Sequence, residues 1–486
     1  MGPSTDNVEL LENMIKAGMD CARFNFSHGN QEDHGKRFAL LQEAAKKADK
    51  PVAALCDTKG PEMRLGIFTE DKITLKNGDS FILTTKEMVG TKEKSYVNYA
   101  GLPQEVKKGD TILLNDGLIT LEVVDVIGNE IETKVMYGGN ISSRKRVACP
   151  GIQLNLPFLS EQDKSDILFA ASVGMDYIAA SFVQKPADVL EIRKLLEENG
   201  YSMGIIAKIE NQAGVNNIED IIDVSDGIMV ARGDLGVEIP AEDVPIVQKD
   251  IIARCNAQGK IVVTATQMLE SMTNSYRATR AEVNDVANAI YDGSDVVMLS
   301  GETASGKYPL ETVQTMAKIC VRTEEALRNN IDFHEKGFGE NKHSTDAISH
   351  ATCHIALEIG AQAIICNTES GFTARMVAKY KPGCDVVGVS TKIDRVRAMQ
   401  LYWGVFPVLG TVAKNTDEII SMVMDEKLPI PYAMCRIITD VTCVVLSFLV
   451  GGPLGITTVV FMLGTGPFVS FWNKTVSRPL VEKLKA

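Results

Sequence analysis

The sequence predicts an α/β protein: a (β/α)8 barrel of the TIM type, with an all-β region inserted into it and a further α/β region after it. Two patterns support this fold class. Short runs rich in β-branched residues alternate with longer amphipathic runs, which indicates parallel strands joined by helices. In residues 61–157, short alternating runs broken by Asn-Gly, Gly-Asp and Gly-Asn indicate antiparallel hairpins instead.

Seven barrel strands are predicted, with helical patterns between them. They start near Asp20, Val52, Asp176, Gly204, Asp226, Lys260 and Asp295. A barrel of this type closes with eight strands, and no strand pattern precedes the first of these seven. The count is therefore one strand short of a closed barrel, and two sheet edges are expected to be unpaired.

The same patterns divide the chain into four segments. We predict a barrel domain at 1–60 and 158–330, an inserted β-barrel domain at 61–157, a truncated α/β domain at 331–430 and an apolar tail at 431–486. A polar stretch after residue 330 separates the barrel from the α/β domain.

Composition excludes some classes of function. The formal net charge is −13, which argues against nucleic acid as a partner because phosphate backbones bind to basic surfaces. The ten cysteines include no C-x-x-C pair, and the N-terminus shows no signal-peptide pattern. We therefore expect reduced thiols and a cytoplasmic location.

Polar residues follow six of the seven predicted strands. They are Arg23, Asn25 and Ser27; Asp57, Thr58 and Lys59; Lys208 and Glu210; Arg232, Gly233 and Asp234; Thr266 and Gln267; Ser300 and Glu302. In (β/α)8 barrels the active site is built from the C-terminal ends of the strands. These strand ends are therefore the predicted active site.

Two carboxylates on different strand ends, Glu210 and Asp234, suit a hard divalent cation such as Mg²⁺. The alternative, that each caps a helix or pairs with an arginine, remains open. Lys208 precedes Glu210 by two residues and should lie on the same face of its strand. A cation beside a metal suits phosphoryl transfer, and Arg23 and Arg64 could each bind a phosphate bidentately.

A second group of side chains carries four oxygen-bearing functions and one formal negative charge: Asn25, Ser27, Asp57 and Thr58. Such a set suits a monovalent cation better than a transition metal, which would favour His or Cys. Ordinary hydrogen bonding at the barrel mouth is the alternative.

Several segments resemble the signature segments of the pyruvate kinase family: "ARFNFSHG", "DTKGPEMR", "MVARGDLGVEIP", "TATQMLESM" and "VMLSGETASGKYP". The resemblance covers about residues 2–428 in the correct order and includes the inserted β region. It implies that this region acts as a lid. It also implies the glycolytic transfer of a phosphoryl group from phosphoenolpyruvate to ADP, giving pyruvate and ATP, with Mg²⁺ (or Mn²⁺) and K⁺ as cofactors.

The resemblance also implies a role for individual residues. Arg23 resembles the residue that binds the substrate phosphate, and Lys208 the residue that stabilises the transferring phosphoryl group and the enolate. The other implied roles are Glu210 and Asp234 for Mg²⁺; Gly233, Asp234 and Thr266 for the substrate carboxylate; Thr266 and Ser300 for enolate protonation; Asn25, Ser27, Asp57 and Thr58 for K⁺; and Asn25, Arg64 and Lys145 for the nucleotide.

The sequence departs from the family in three places. The first barrel strand is absent, and the similarity ends near Leu428. At the exit from the inserted region, Arg146 and Ala148 stand where the family usually has Gly and Asn, which predicts a disturbed hinge. The family's homotetramer is expected, although the missing C-terminal segment would remove part of a subunit interface.

The C-terminal tail has no charged side chain from Val441 to Asn473. Residues 437–471 could form two short membrane helices with basic residues on both sides, so they are a candidate for membrane contact. Residues 451–471 resemble the end of the YitT/YczE-like family of bacterial membrane proteins. A buried helix pair is the alternative.

The sequence therefore predicts a phosphotransferase of the pyruvate kinase type. The alternative from another class is an inactive truncated or fused product, membrane-associated through its tail. A different barrel enzyme that uses phosphoenolpyruvate or pyruvate is disfavoured because such enzymes lack the inserted β region.

Overall fold

The protein is described by a computed structural model that covers residues 1–152, 154–328 and 344–411. The predicted apolar tail, the candidate membrane segment 437–471 and most of the polar linker lie outside these residues. Within the described part of the chain, no helix is both long and apolar enough to cross a bilayer.

A seven-stranded parallel sheet forms the centre of the fold, and its strands follow chain order across the sheet. The strands are Cys21–Asn25, Ala53–Asp57, Tyr177–Ala180, Gly204–Ile209, Gly227–Ala231, Ile261–Ala265 and Val296–Val297. All seven predicted strands are confirmed. In the described residues the curled sheet is open, since Cys21–Asn25 and Val296–Val297 are its two edges, as the count of seven predicted strands led us to expect.

Helices cover this sheet. They are Val8–Lys16, Gln31–Ala48, Glu161–Val173, Pro186–Glu198, Gln212–Asn216, Ile218–Val224, Arg232–Glu238, Val244–Gln258, Arg280–Asp292, Gly301–Ala304 and Pro309–Arg328. Local sequence explains their limits: Glu161–Val173 begins at a capping box between Ser160 and Asp163 and ends at Gly174, which has a left-handed conformation. Central strands such as Ile261–Ala265 are buried throughout, which explains their uninterrupted apolar sequences.

The inserted β region forms a second sheet of seven strands and a separate two-stranded ladder. Its strands are Met63–Arg64, Lys72–Leu75, Ser80–Thr84, Lys94–Tyr96, Thr111–Leu114, Ile119–Ile127, Glu130–Tyr137, Gly139–Ser142 and Arg146–Ala148, with one short helix, Leu102–Glu105. The pairing is antiparallel except between Ser80–Thr84 and Lys94–Tyr96. The region has its own apolar core, which includes Phe81 and Ile112.

The last described section is a three-stranded parallel sheet with helices. Its elements are Ser344–Glu358, Ala363–Asn367, Phe372–Ala378, Asp385–Ser390, Ile393–Ala398 and Val405–Leu409. It packs against the barrel at the end where the strands begin: Tyr177 Oη donates to Ala398 O at 2.8 Å, and Arg397 Nε donates to Asp176 Oδ1 at 2.9 Å. The predicted site residues lie at the opposite end of the barrel. The inserted β region contacts the barrel at that end.

Candidate active site

Lys208 is the centre of the predicted site. Its ammonium lies 3.0 Å from Asp57 Oδ1, 3.0 Å from Glu210 Oε1 and 2.8 Å from Ser181 Oγ. Burial disfavours its charge, but the carboxylates of Asp57 and Glu210 outweigh burial and raise the pKa of Lys208. The charged form of Lys208 is therefore favoured, and its predicted position on the same face as Glu210 is confirmed.

Asp57 joins Lys208 to Arg23. Arg23 Nε donates to Asp57 Oδ2 at 2.6 Å, while Oδ1 accepts from Lys208 and lies 3.2 Å from Ser181 Oγ. Burial opposes ionisation of Asp57, but the charges of Arg23 and Lys208 prevail and hold its pKa below the ordinary value. The structure therefore brings two cations to one buried carboxylate.

Glu210 is fully buried. Its Oε2 accepts from the backbone N–H of Phe182 at 2.6 Å, whereas Oε1 accepts no hydrogen bond from any described residue, although Lys208 Nζ lies 3.0 Å away. Burial raises the pKa of Glu210 against the opposing charge of Lys208, and the charge of Asp234 raises it further. A buried carboxylate oxygen without a hydrogen bond is suited to receive a cation.

Asp234 lies in the short helix Arg232–Glu238, and its side chain is 37% exposed. Its Oδ1 accepts from Arg146 Nη1. The alternative role predicted from the sequence, that this carboxylate pairs with an arginine, is therefore confirmed for Asp234. Within the described residues, no cluster of three or more His, Cys, Asp or Glu could hold a metal. The donors present, Glu210 and Asp234, are oxygen ligands that fit a hard divalent cation whose other ligands are water and substrate oxygens.

Gly233 and Thr266 are in direct contact. The N–H of Gly233 donates to Thr266 Oγ1 at 2.7 Å, and that hydroxyl lies 2.7 Å from Ala265 O. Thr266 has φ +67°, which is uncommon for a β-branched residue and indicates local strain. Arg232 stabilises this conformation, since its Nη2 donates to Thr266 O at 2.7 Å.

Ser300 has a buried hydroxyl without a hydrogen-bond partner in the described part of the chain. Its backbone N–H donates to Glu302 Oε2 at 2.6 Å. Glu302 is fully buried and also accepts from the N–H of Leu269 at 3.3 Å. Glu302 therefore fixes the backbone of this strand end, while the buried Ser300 hydroxyl makes no hydrogen bond to the described residues.

The four predicted K⁺ ligands lie on neighbouring strand ends, and Asn25 is directly opposite Asp57 in the sheet. Asn25 Oδ1 accepts from the N–H of Ser27 at 3.1 Å, and Thr58 Oγ1 accepts from the N–H of Ser181 at 3.1 Å. No hydrogen bond joins the side chains of Asn25 and Ser27 to those of Asp57 and Thr58 in the described structure.

The predicted nucleotide residues Arg64 and Lys145 lie where the inserted β region meets the barrel. Arg64 Nη2 donates to Glu62 Oε2 at 2.6 Å and Nη1 to Arg144 O at 3.0 Å. Lys145 O accepts from the N–H of Leu65 at 2.9 Å. Arg64 pairs with Arg146 in the ladder, and a cavity of about 220 Å³ has Glu62 and Arg146 in its lining.

Two functional positions were missed from the sequence. The third barrel strand was the one for which no polar end was predicted, yet Ser181 follows it and contacts both Lys208 and Asp57. Phe182 comes next, with φ +58°, which directs its N–H to Glu210. The position of Ser181, a serine directly after a buried strand, could have been recognised in the sequence. Nothing in the sequence indicated the role of Phe182.

The C-terminal part of the chain matches two family models. Residues 346–433 match the pyruvate kinase alpha/beta domain, and residues 405–474 match a family of unknown function, DUF6198. The resemblance of residues 451–471 to the YitT/YczE-like family is not confirmed by these comparisons.

Residues 1–313 match the pyruvate kinase barrel domain. The chain is 49% identical over 431 residues to the pyruvate kinase of Bacillus licheniformis, covering 88% of this chain and 74% of that protein. It is 46% identical over 434 residues to the pyruvate kinase of Clostridium acetobutylicum, covering 89% and 92%. The crystal structure of a pyruvate kinase from Cryptosporidium parvum superposes with a TM-score of 0.83 at 40% identity, covering 87% of this chain and 88% of that one. The chain belongs to the pyruvate kinase family.

Proposed function

We propose that this chain transfers the phosphoryl group of phosphoenolpyruvate to ADP, with Lys208 as the residue that stabilises the transferred group. The observation that supports this most directly is the buried ammonium of Lys208, held by Asp57, Glu210 and Ser181 at the strand ends. In the reaction, the bond between phosphorus and the enol oxygen breaks and a bond to a β-phosphate oxygen of ADP forms. The enolate then takes a proton at carbon and becomes pyruvate.

Charge development explains the need for Lys208. Negative charge builds up on the enol oxygen and on the phosphoryl oxygens during transfer, and a preorganised cation stabilises it without reorganisation. Arg23 binds the substrate phosphate in this proposal, and Asp57 keeps both cations in place. Because the pKa of Lys208 is raised, the ammonium keeps its proton throughout the neutral pH range.

Glu210 and Asp234 would hold Mg²⁺ or Mn²⁺, since their carboxylate oxygens suit a hard cation. When bound, such an ion neutralises phosphate charge and polarises the substrate oxygens. We assign K⁺ to the second oxygen set, Asn25, Ser27, Asp57 and Thr58, although Asp57 is also engaged by Arg23 and Lys208.

The remaining proposed roles are binding of the substrate carboxylate, protonation of the enolate and binding of the nucleotide. The N–H groups of Gly233 and Asp234, with the hydroxyl of Thr266, bind the substrate carboxylate. Thr266 and Ser300 belong to the route that protonates the enolate, and the unpartnered hydroxyl of Ser300 supports this role. Arg64, Lys145 and Asn25 contact the nucleotide.

The whole chain has four proposed segments and a proposed location. We divide it into a barrel domain (1–60 and 158–330), an inserted lid domain (61–157), a shortened α/β domain (331–430) and a tail (431–486). We place the protein in the cytoplasm as a homotetramer, with the tail as the candidate for membrane contact.

A direct assay tests the proposal. Purified full-length protein should form ATP from ADP and phosphoenolpyruvate only with Mg²⁺ or Mn²⁺, and faster with K⁺. Lys208→Met should lower kcat by about 10²- to 10³-fold, the cost of removing one such charge stabiliser. The matched control is Lys194→Met, because Lys194 is 75% exposed on the helix Pro186–Glu198. A folded sample that forms no ATP under any of these conditions would support the inactive alternative.

A further inference from the structure

Arg146 has an unusual environment. It is 8% exposed in the strand Arg146–Ala148 of the inserted β region. Its Nη1 donates to Asp234 Oδ1, and its Nη2 lies 3.7 Å from Glu238 Oε1. The guanidinium also lies over the ring of Phe182, 4.8 Å from the centroid. Every one of these partners belongs to the barrel, so a single side chain joins the two parts of the fold.

The charge of Arg146 is retained in this environment. Burial disfavours the guanidinium cation, but Asp234, Glu210 and Glu238 together outweigh burial and keep its pKa raised. Removing a cation from such a setting leaves its carboxylates uncompensated. Arg146 is therefore a buried counter-charge and not a surface arginine. It compensates the acidic rim, which consists of Asp234, Glu210 and Glu238.

The neighbouring residues direct Arg146 towards the rim. Arg64 is its direct partner in the antiparallel ladder, yet Arg64 turns to Glu62 while Arg146 turns to Asp234. The ring of Phe182 packs against the guanidinium, and the N–H of Phe182 donates to Glu210 Oε2. The cation therefore contacts Asp234, one of the two carboxylates to which a divalent cation is assigned, and lies over the ring of the residue whose N–H is bonded to the other, Glu210.

We propose that Arg146 competes with the divalent cation for Asp234 and thereby couples metal binding to the position of the inserted β region. This inference rests on the proposed function, in which Asp234 is a metal ligand. A divalent cation on Asp234 and the guanidinium of Arg146 would share the charge of one carboxylate and repel each other, so each weakens the binding of the other. When the metal binds, the guanidinium withdraws, and the contact between strand Arg146–Ala148 and the helix Arg232–Glu238 is lost.

Binding of Mn²⁺ to the full-length protein, measured by the electron paramagnetic resonance signal of the free ion, tests the competition without using activity. Arg146→Gly should bind Mn²⁺ more tightly than the unsubstituted protein by on the order of tenfold, a usual size for coupling between two binding events. The control Arg144→Gly removes the same charge two residues away, at an exposed residue with φ +61° that glycine accepts readily. It should leave the affinity unchanged.

A second variant guards against misfolding. Arg146→Gln retains a polar side chain of similar length, and it should also tighten Mn²⁺ binding. If both folded variants bind Mn²⁺ with unchanged or weaker affinity, Arg146 is not a competitor and the inference is wrong. Weaker binding of phosphoenolpyruvate or ADP at unchanged Mn²⁺ affinity would likewise overturn it, because Arg146 would then be a substrate ligand.

Asp234→Asn separates this inference from the proposed function. Loss of tight Mn²⁺ binding in Asp234→Asn, both alone and combined with Arg146→Gly, supports Asp234 as the shared partner. Unchanged Mn²⁺ binding in Asp234→Asn would instead overturn the metal assignment in the proposed function. Amide exchange supplies a second readout: Mn²⁺ should speed exchange in residues 146–149 of the unsubstituted protein and have no such effect in Arg146→Gly.

Discussion

The ammonium of Lys208 lies 3.0 Å from Oδ1 of Asp57, and these residues are 151 positions apart in the chain. The other oxygen of the same carboxylate accepts from Arg23 at 2.6 Å. One buried negative charge therefore holds both of the cations to which we assign a role in phosphoryl transfer. The position of both cations relative to the substrate should depend on Asp57.

Asp57→Asn removes that charge while keeping the shape of the side chain. Buried Lys208 and partly buried Arg23 would then lie close together without the negative charge between them, so the free energy of unfolding should fall by about 3 kcal/mol. Urea denaturation measures this change. Asp250→Asn is the control, because Asp250 forms an exposed ion pair with Arg254 and such pairs contribute about 0–1 kcal/mol. Equal effects of the two substitutions would contradict the assigned role of Asp57.

Ser181→Ala tests the residue that sequence reasoning missed. Its hydroxyl accepts from Lys208 Nζ at 2.8 Å and donates to Thr58 O at 2.7 Å. Without it the ammonium loses one of its three partners, and we expect kcat to fall by roughly ten- to a hundredfold with a smaller change in KM. Ser172→Ala removes an exposed serine hydroxyl bonded to Phe169 O and should leave both constants unchanged.

The free energy of unfolding should depend on pH through the carboxyl group of Glu282. Burial raises its pKa, but hydrogen bonds from Ser271 and Thr279 prevail, and the net pKa is lowered from the ordinary 4.5. A carboxyl group with a lowered pKa stabilises the fold fully above its unfolded value and loses that contribution as the pH falls through the folded value. The stabilisation by Glu282 should therefore be complete above about pH 4.5 and decline below it.

Glu282→Gln measures this contribution. At pH 7 the substitution should lower the free energy of unfolding by about 1 kcal/mol, the usual effect of weakening a helix cap. Below pH 4.5 the difference from the unsubstituted protein should shrink, because the glutamate is then protonated. Glu197→Gln changes an exposed glutamate on another barrel helix and should show no such trend in urea denaturation at the two pH values.

Arg397→Met tests the contact between the C-terminal section and the barrel. Arg397 is the ionic partner of buried Asp176, and its loss leaves that carboxylate uncompensated. We expect a loss of about 2 kcal/mol, the scale of one hydrogen bond to a charged group. Limited proteolysis should then release the section after residue 344 faster. Arg395→Met, which loses only an exposed pair with adjacent Asp394, should be cut at the original rate.

Local patterns were enough to predict much of the fold and part of the site. The spacing of Lys208 and Glu210 placed both on one face of a strand, because side chains alternate along a strand with a period of two. The Gly-Asn pair at 128–129 predicted the hairpin between Ile119–Ile127 and Glu130–Tyr137, since Gly128 adopts φ +58° readily. Such features depend on a few adjacent residues and are therefore visible in the sequence.

The sequence by itself determined the seven strands, the inserted β region and the polar strand ends, because periodicity and turn residues act locally. Only the tertiary structure decided which of those polar groups meet. Arg146 and Asp234 are 88 positions apart. From the sequence, we predicted only that Arg146 would disturb the hinge of the inserted β region. Their contact depends on how the inserted sheet lies on the barrel rim. Packing between two separate cores sets that arrangement, and no local pattern records it.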